Sequence, residues 1–396
     1  MIAALDDFAL RRPFLTALAL SLGAAVSLGI SRFSYALLLP PMRDDLGWTY
    51  LLAGSMNTAN AAGYLLGALV TPAVMRRFGA QYALVGGSVL TGIFMLLSGF
   101  VTDADMLLLQ RVLAGIASAF VFIAGGVLAA RLGALHARQA GFLIGLYYGG
   151  TGFGIALSAL LVPATLAGAT QHGAAHGWQW AWLALGASCL LATTAMALPA
   201  RRIDGTSLPG GARGHFRIRS FGYGLAGYFM FGVGYIGYMT FVIALLKEQG
   251  MPAAVITTFY VVLGLAVVAS SRIWAGMLDR YKGGQSFAIL NALLALATLL
   301  PVLTAAPVAV FASGLLFGAV FLSVVASTTA LVRHNLPPSA WSAGISIFTT
   351  VFAFGQIVGP TIVGWISDGA GGLQRGFIFS AAALLIGAVL GSRQRA

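Results

Sequence analysis

Hydrophobic residues occur along this chain in long runs that short polar stretches separate. Each run has roughly 20 residues or more, enough for a helix to cross the ~30 Å hydrocarbon core of a bilayer. Backbone groups cannot stay unpaired in lipid, so the runs must be helical. The pattern predicts twelve membrane-spanning helices, near residues 14–39, 50–73, 80–101, 105–130, 141–166, 178–198, 220–246, 253–275, 285–303, 308–331, 341–365 and 374–392.

Composition supports an all-α integral membrane protein. Of the 396 residues, 59% are hydrophobic and 8% are charged, whereas a soluble domain has about 25% charged residues. The net charge of +12 suggests nucleic acid at first. The Lys and Arg residues are scattered singly between apolar runs and form no basic face, so we expect no nucleic-acid partner. No catalytic, nucleotide-binding or metal-binding motif is evident, so we expect no enzyme activity, cofactor or metal.

One longer polar stretch divides the chain. Residues 199–219 are polar, basic and rich in glycine, and six apolar runs lie on either side of them. We therefore expect a six-helix bundle at 1–198, a cytoplasmic linker at 199–219 and a second six-helix bundle at 220–396.

The basic residues also predict the orientation in the membrane. Apart from Arg32 and Arg111, which lie inside apolar runs, the side that holds both termini carries 17 Lys and Arg residues and the other side carries three. The positive-inside rule then places both termini in the cytoplasm.

The two halves repeat each other at an offset of 203 residues. The matched pairs are Gly29 and Gly232, Arg77 and Arg280, Gly115 and Gly318, and Gly152 and Gly355. Parallel halves related by an axis along the membrane normal are typical of transporters whose substrate site lies between the halves at mid-depth.

Several motifs resemble those of the major facilitator superfamily. They are Asp279–Gly283 after the eighth run, Arg111–Gly115 in the fourth and Gly149–Gly154 in the fifth. More narrowly, Gly29–Tyr35, Trp178–Trp182, Phe231–Phe241 and Gly355–Pro360 resemble the bacterial YbfB/YjiJ-type branch. The resemblance implies the major facilitator fold, with twelve helices in two pseudo-symmetric bundles. It also implies a secondary active transporter of the inner (plasma) membrane that works by alternating access. The loop after the second run departs from the family pattern at Pro72 and Arg76.

Two arginines are the main candidates for substrate binding. Arg32 lies inside the first apolar run and Arg111 inside the fourth, at a similar depth. An arginine at the bilayer centre costs ~2.5–3.5 kcal/mol on insertion scales. Paired guanidinium groups would bind an anion bidentately. Alternatively, helix carbonyls or tyrosine hydroxyls neutralise each arginine and it only fixes packing.

Other polar residues inside the runs are weaker candidates for the substrate pocket. Asn57, Asn60 and Tyr64 share one helical stripe, which could line the pocket or join helices by hydrogen bonds. Tyr235 and Tyr238 occupy the repeat-equivalent positions of Arg32 and Tyr35. The predicted substrate-binding set is Arg32, Tyr35, Asn57, Asn60, Tyr64, Arg111, Tyr235, Tyr238 and Gln356.

A second set of residues is predicted to gate the transporter. The loops that resemble the family signature supply Arg77, Asp279 and Arg280. Tyr147 and Tyr148 lie nearer the cytoplasmic end of the fifth run and are further gate candidates.

The placement of acids indicates the substrate class. All ten Asp and Glu residues fall in the N-terminal tail, in loops or at the ends of apolar runs. A cationic substrate would find no counter-charge at mid-depth, whereas an anion would find Arg32. We therefore predict transport of a small, carboxylate-like organic anion, by symport, exchange or uniport. We also expect the protein to function as a monomer. The alternative is an efflux pump for amphipathic drug-like compounds, with its 25 Phe, 12 Tyr and 11 Met residues forming an adaptable pocket.

Overall fold

The computed structural model describes residues 12–203 and 218–395, and in these ranges it contains twelve helices long and apolar enough to span a membrane. The all-helical architecture expected from the sequence is thus confirmed. The first span consists of α1, a π-helical stretch at Ala25–Phe33 (the π segment) and α2. The helices are α1 Pro13–Ala24, α2 Tyr35–Leu46, α3 Tyr50–Phe78, α4 Ala80–Ser98, α5 Ala104–Leu135, α6 Ala140–Gln171, α7 Gly177–Arg201, α8 Gly222–Glu248, α9 Ala253–Ile273, α10 Ala275–Arg280, α11 Gln285–Leu303, α12 Pro307–Asn335, α13 Pro338–Ser367 and α14 Gly372–Arg393.

Several helices extend past the ends of the apolar runs. The first span continues through Pro40 and Pro41 to Leu46, and α5 continues to Leu135. Apolar length marks only the part of a helix that crosses hydrocarbon, whereas the helix itself can continue among headgroups and water. The predicted linker also begins inside a helix, because α7 ends at Arg201. Residues 204–217, most of that linker, lie outside the described residues.

The chain divides into two compact units. The first unit contains Met1–Leu46 and Ala59–Leu208, and the second contains Gly47–Thr58 and Pro209–Ala396. Helix α3 therefore contributes to both, because its opening turns pack with the second unit and its remainder with the first.

The opening turns of α3 are held in the second unit by a carboxylate. The two side-chain oxygens of Asp368 accept hydrogen bonds from the backbone amides of Tyr50 and Leu51, at 2.7 and 2.8 Å. The Tyr50 hydroxyl donates to Glu248. The first amides of a helix have no partner inside the helix and carry partial positive charge, so a carboxylate there stabilises the helix end.

Packing inside the two units follows the repeat. A Cβ atom added to Gly115 would overlap the carbonyl oxygen of Asn60, and one added to Gly318 would overlap that of Leu263. Gly318 and Leu263 lie 203 residues after Gly115 and Asn60, respectively. The sequence repeat is therefore also a repeat of close helix contacts, α3 with α5 and α9 with α12.

Candidate functional site

The π segment interrupts the first span at the place where Arg32 lies. Residues Ala25–Phe33 form wider turns than an α-helix, and such turns are uncommon and often found at functional sites. Polar side chains hold the widened turns in place. The Ser27 hydroxyl donates to the carbonyl of Ser118 at 2.7 Å, and the Ser34 hydroxyl to that of Ile30 at 2.5 Å.

Arg32 is buried without a full set of hydrogen-bond partners. Its relative exposure is 2%. Its Nε atom and one terminal nitrogen, Nη2, have no hydrogen-bond acceptor among the described residues. The guanidinium carbon lies 5.8 Å from the centre of the Tyr64 ring. A buried cation in this condition has donors directed at positions that the protein itself does not fill.

Arg111 is equally buried but is held by the protein. Its Nη1 donates to the backbone carbonyl of Ser31 at 2.7 Å. Its guanidinium carbon lies 5.2 Å from the Tyr35 ring centre and 5.6 Å from that of Trp182. Arg111 thus ties α5 to the π segment, next to the residue that carries the unfilled donors.

Asn60 lies in the same part of the first unit. Its side-chain Nδ2 donates to the backbone carbonyl of Arg111 at 3.2 Å, and its Oδ1 has no partner among the described residues. Tyr64, one helical turn further along α3, faces Arg32. We call Ser31, Arg32, Asn60, Tyr64, Arg111 and Trp182 the Arg32 cluster.

Unfilled polar atoms are concentrated in the Arg32 cluster. Besides those of Arg32 and Asn60, the Ser31 hydroxyl and the Trp182 indole nitrogen lack partners among the described residues. The cluster contains two cations and no acidic residue. Asp103, which the sequence places near the start of α5, instead accepts a hydrogen bond from the Met106 amide at 2.9 Å and caps that helix. Chemically, the cluster is suited to an acceptor-rich, negatively charged group.

Of the candidates in the second unit, Asn57 and Tyr238 have hydrogen-bond partners and Tyr235 has stacking partners. The Asn57 amide donates to the Thr240 hydroxyl at 2.8 Å. Tyr238 is hydrogen-bonded through its hydroxyl to Ser313 at 2.7 Å. The Tyr235 ring stacks on neighbouring phenylalanine rings, and the Gln356 side chain is buried.

The predicted gate residues differ in burial. Tyr147 is fully buried and its hydroxyl donates to the Phe122 carbonyl at 2.8 Å. Tyr148 is 38% exposed, with its ring 5.4 Å from that of Phe122. The exposed residues Arg77, Asp279 and Arg280 lie at the ends of α3 and α10.

Some parts of the site were missed by sequence reasoning. The π segment was predicted as ordinary helix, and Ser31 and Trp182 were not named as candidates. Ser27, Ser31 and Ser34 lie close to Arg32 in an apolar run. Hydroxyl side chains so close to a buried arginine were the available signal that the backbone there needs additional hydrogen bonds.

The family profile described as "Uncharacterised MFS-type transporter YbfB" matches residues 24–392. The chain belongs to this family of major facilitator transporters. It is therefore a multi-pass membrane transporter and not an enzyme, and a small-molecule substrate and the lipid bilayer are its partners.

Individual relatives are consistent with this family. A protein of Agrobacterium vitis named "Putative tartrate transporter" is 25% identical over 391 residues, which cover 88% of this chain and 83% of that protein. A bacterial homologue of the human lysosomal transporter Spinster superposes with a TM-score of 0.72 at 17% identity, covering 95% of both chains. The nucleoside transporter NupG superposes with a TM-score of 0.70 at 14% identity, covering 95% of this chain and 98% of NupG. The two solved structures share the major facilitator fold of this YbfB-type transporter.

Proposed function

We propose that this transporter carries a small organic anion of the carboxylate type and that Arg32 is its main charge partner. The observation that carries the proposal is that the buried Arg32 has no acceptor for its Nε and Nη2 among the described residues. These two nitrogens form one side of the guanidinium fork, which matches the two oxygens of a carboxylate.

The energetic argument concerns the cost of the buried charge. A buried ion without a partner is strongly unfavourable, and an unsatisfied buried hydrogen-bonding group adds roughly 1–3 kcal/mol. If Arg32 served only packing, an acceptor for these donors would make the fold more stable. Arg111 has such an acceptor in the Ser31 carbonyl. An anionic substrate that supplies the acceptor removes the cost each time it binds.

Arg111 has a supporting part in the proposal. It fixes the Ser31 carbonyl of the π segment and adds a second positive charge close to Arg32. Asn60 and Tyr64 shape the same place. The relative named for tartrate, which is a dicarboxylate, supports the anionic substrate class.

Alternating access would expose the Arg32 cluster first to one side of the membrane and then to the other. We place the protein in the inner membrane as a monomer, with both termini in the cytoplasm. Transport could proceed by exchange, or by symport in which the substrate itself carries the proton, because no Asp or Glu lies within the Arg32 cluster.

The test compares Arg32→Lys and Arg32→Gln with a surface control. Arg333→Gln is the control, because Arg333 is exposed at the end of α12 with its guanidinium 5.1 Å from the Trp341 ring centre. Binding of mono- and dicarboxylates, tartrate included, is measured by thermal stabilisation of the purified proteins, and uptake is measured in proteoliposomes.

We expect Arg32→Gln to weaken carboxylate binding about 10- to 150-fold, which corresponds to the ~1.5–3 kcal/mol of a hydrogen bond to a charged group. Arg32→Lys keeps the charge without the fork, so it should retain only part of the affinity. Arg333→Gln should behave as wild type. Carboxylate binding by Arg32→Gln at wild-type strength would overturn the proposal. Binding confined to amphipathic drug-like compounds would favour the efflux function instead.

A further inference from the structure

The side-chain amide of Asn60 has a fixed orientation, and its oxygen accepts no hydrogen bond from the described residues. Asn60 is fully buried on α3. Only its nitrogen can donate to the Arg111 carbonyl, so the 3.2 Å bond settles which end is Nδ2 and which is Oδ1. The remaining atom, Oδ1, accepts hydrogen bonds and cannot donate them, and it has no donor among the described residues.

This unused acceptor lies in the same cluster as the unused donors of Arg32. Asn60 and Tyr64 are one turn apart on α3, and the Tyr64 ring centre is 5.8 Å from the Arg32 guanidinium carbon. The Arg32 donors and the Asn60 acceptor both remain unfilled, so they do not bond to each other. A single small molecule that filled both would need an acceptor at one end and a donor at the other.

The charge of the cluster decides which donor the molecule can carry. Arg32 and Arg111 interact as like charges, and no acidic residue belongs to the cluster. A second cation such as an ammonium group would be repelled. A neutral hydroxyl donates one hydrogen bond at no cost in charge.

We infer that the transported anion is a hydroxycarboxylate whose carboxylate binds Arg32 and whose hydroxyl donates to Oδ1 of Asn60. The inference rests on the proposed function, since it assumes that a carboxylate binds Arg32. It adds a specificity-determining residue and narrows the substrate class. An analogue without the hydroxyl would leave the Asn60 oxygen buried and unpaired, and sites of this kind discriminate strongly against such analogues.

The experiment uses two sets of probes that differ in one substituent. Malate, succinate and aspartate carry a hydroxyl, a hydrogen and an ammonium group on the same four-carbon dicarboxylate. Lactate, propionate and alanine form the corresponding three-carbon set. Affinities for the purified full-length protein are obtained from thermal stabilisation as a function of ligand concentration. We expect the hydroxy acid of at least one set to bind about tenfold or more tighter than the other two members, which is about 1.4 kcal/mol.

Variants then assign the preference to Asn60. Asn60→Leu should make the hydroxy acid and its deoxy analogue bind equally. Asn60→Asp should move the preference towards the amino acid, because it adds a negative charge. The matched control is Asn291→Leu. Asn291 is a fully buried asparagine of α11 whose Nδ2 donates to the Phe287 carbonyl at 3.0 Å and whose Oδ1 is also unfilled, but it lies outside the Arg32 cluster. Asn291→Leu should leave the ratio of affinities for the hydroxy acid and its deoxy analogue unchanged.

The outcomes separate this inference from the proposed function. If succinate and propionate bind the wild-type protein as tightly as malate and lactate, the inference is overturned and carboxylate transport stands. The same holds if Asn60→Leu keeps the hydroxyl preference, or if Asn291→Leu also abolishes it. If no carboxylate binds at all, the proposed function itself fails. If the Asn60 variants do not fold, the wild-type ratios still test the hydroxycarboxylate preference, and equal binding of the hydroxy and deoxy acids still overturns the inference.

Discussion

The π segment of the first span and the repeat-equivalent part of α8 carry different kinds of side chain. In the first unit, Arg32 and Tyr35 lie in and beside the π segment, where polar atoms are left without partners. In the second unit, the equivalent residues Tyr235 and Tyr238 lie in α8, a regular helix. The comparison indicates that the shared scaffold of the repeat does not determine the chemistry at this position. Under the proposed function, recognition of charge therefore lies in the first unit.

The second unit fills this position with aromatic rings. The Tyr235 ring centre is 4.8 Å from that of Phe231 and 5.6 Å from that of Phe352, with the planes nearly parallel. The Tyr238 ring stacks on Phe317 at 3.9 Å. Stacked rings contribute packing and need few hydrogen bonds. A similar contrast between filled and unfilled hydrogen bonds exists within the first unit. Arg111 has a carbonyl acceptor and two aromatic contacts, whereas two nitrogens of Arg32 have no acceptor among the described residues.

The largest expected difference in stability is between Arg111→Met and Arg32→Met without substrate. Removing Arg111 deletes its hydrogen bond to the Ser31 carbonyl and its contacts with two rings, together about 2–4 kcal/mol. Removing Arg32 deletes a buried charge whose Nε and Nη2 have no acceptor among the described residues, and such replacements are often neutral or stabilising. Thermal unfolding of the purified proteins should show a midpoint several degrees lower for Arg111→Met and unchanged or higher for Arg32→Met.

The control for this pair is ligand-dependent stabilisation. Wild-type protein with a bound carboxylate should unfold at a higher temperature, and Arg32→Met should lose that increment. An equal fall in midpoint for both arginine variants would mean that Arg32 is as well satisfied as Arg111, and the contrast drawn between them would be wrong.

Hydropathy and the repeat predict most of the fold but only part of the site. The twelve spans follow from apolar length, and the buried positions of Arg32 and Arg111 follow from where they fall in those spans. The sequence pattern does not distinguish the two arginines, because both are cations inside an apolar run. The two arginines differ in hydrogen bonding, because the Ser31 carbonyl of the π segment accepts from Arg111. A change from α to π turns alters backbone hydrogen bonding without altering the hydrophobic pattern, so the sequence pattern does not reveal it. The grouping of Gly47–Thr58 with the second unit likewise depends on distant partners such as Asp368.

The next largest effect should come from the paired glycines Gly29 and Gly232. A Cβ atom on Gly29 would lie 2.5 Å from the Thr151 carbonyl oxygen and 2.6 Å from the Gly154 Cα, both backbone atoms that cannot rotate away. On Gly232 the nearest atom, a backbone oxygen, would lie 2.7 Å away and the next 3.1 Å. Overpacking costs typically about 1–3 kcal/mol.

Gly29→Ala should therefore lower the thermal midpoint more than Gly232→Ala, and it should also weaken carboxylate binding because the π segment is displaced. Gly86→Ala serves as the control, since a Cβ there meets nothing within 4 Å. Equal losses in the two repeat variants, with binding unchanged, would show that the π segment is no more constrained than α8.

The smallest expected effect is that of Tyr238→Phe. Its hydroxyl donates to Ser313, which in turn donates to the Ala297 carbonyl at 2.6 Å. The change removes one buried hydrogen bond and leaves the stacked ring in place, so stability should fall by about 1 kcal/mol. The ratio of affinities for malate and succinate should stay at the wild-type value, because the proposed polar contacts with the substrate lie in the first unit. A changed ratio in this variant, with the fold intact by circular dichroism, would assign a part in substrate binding to Tyr238 and remove the distinction between the two repeats.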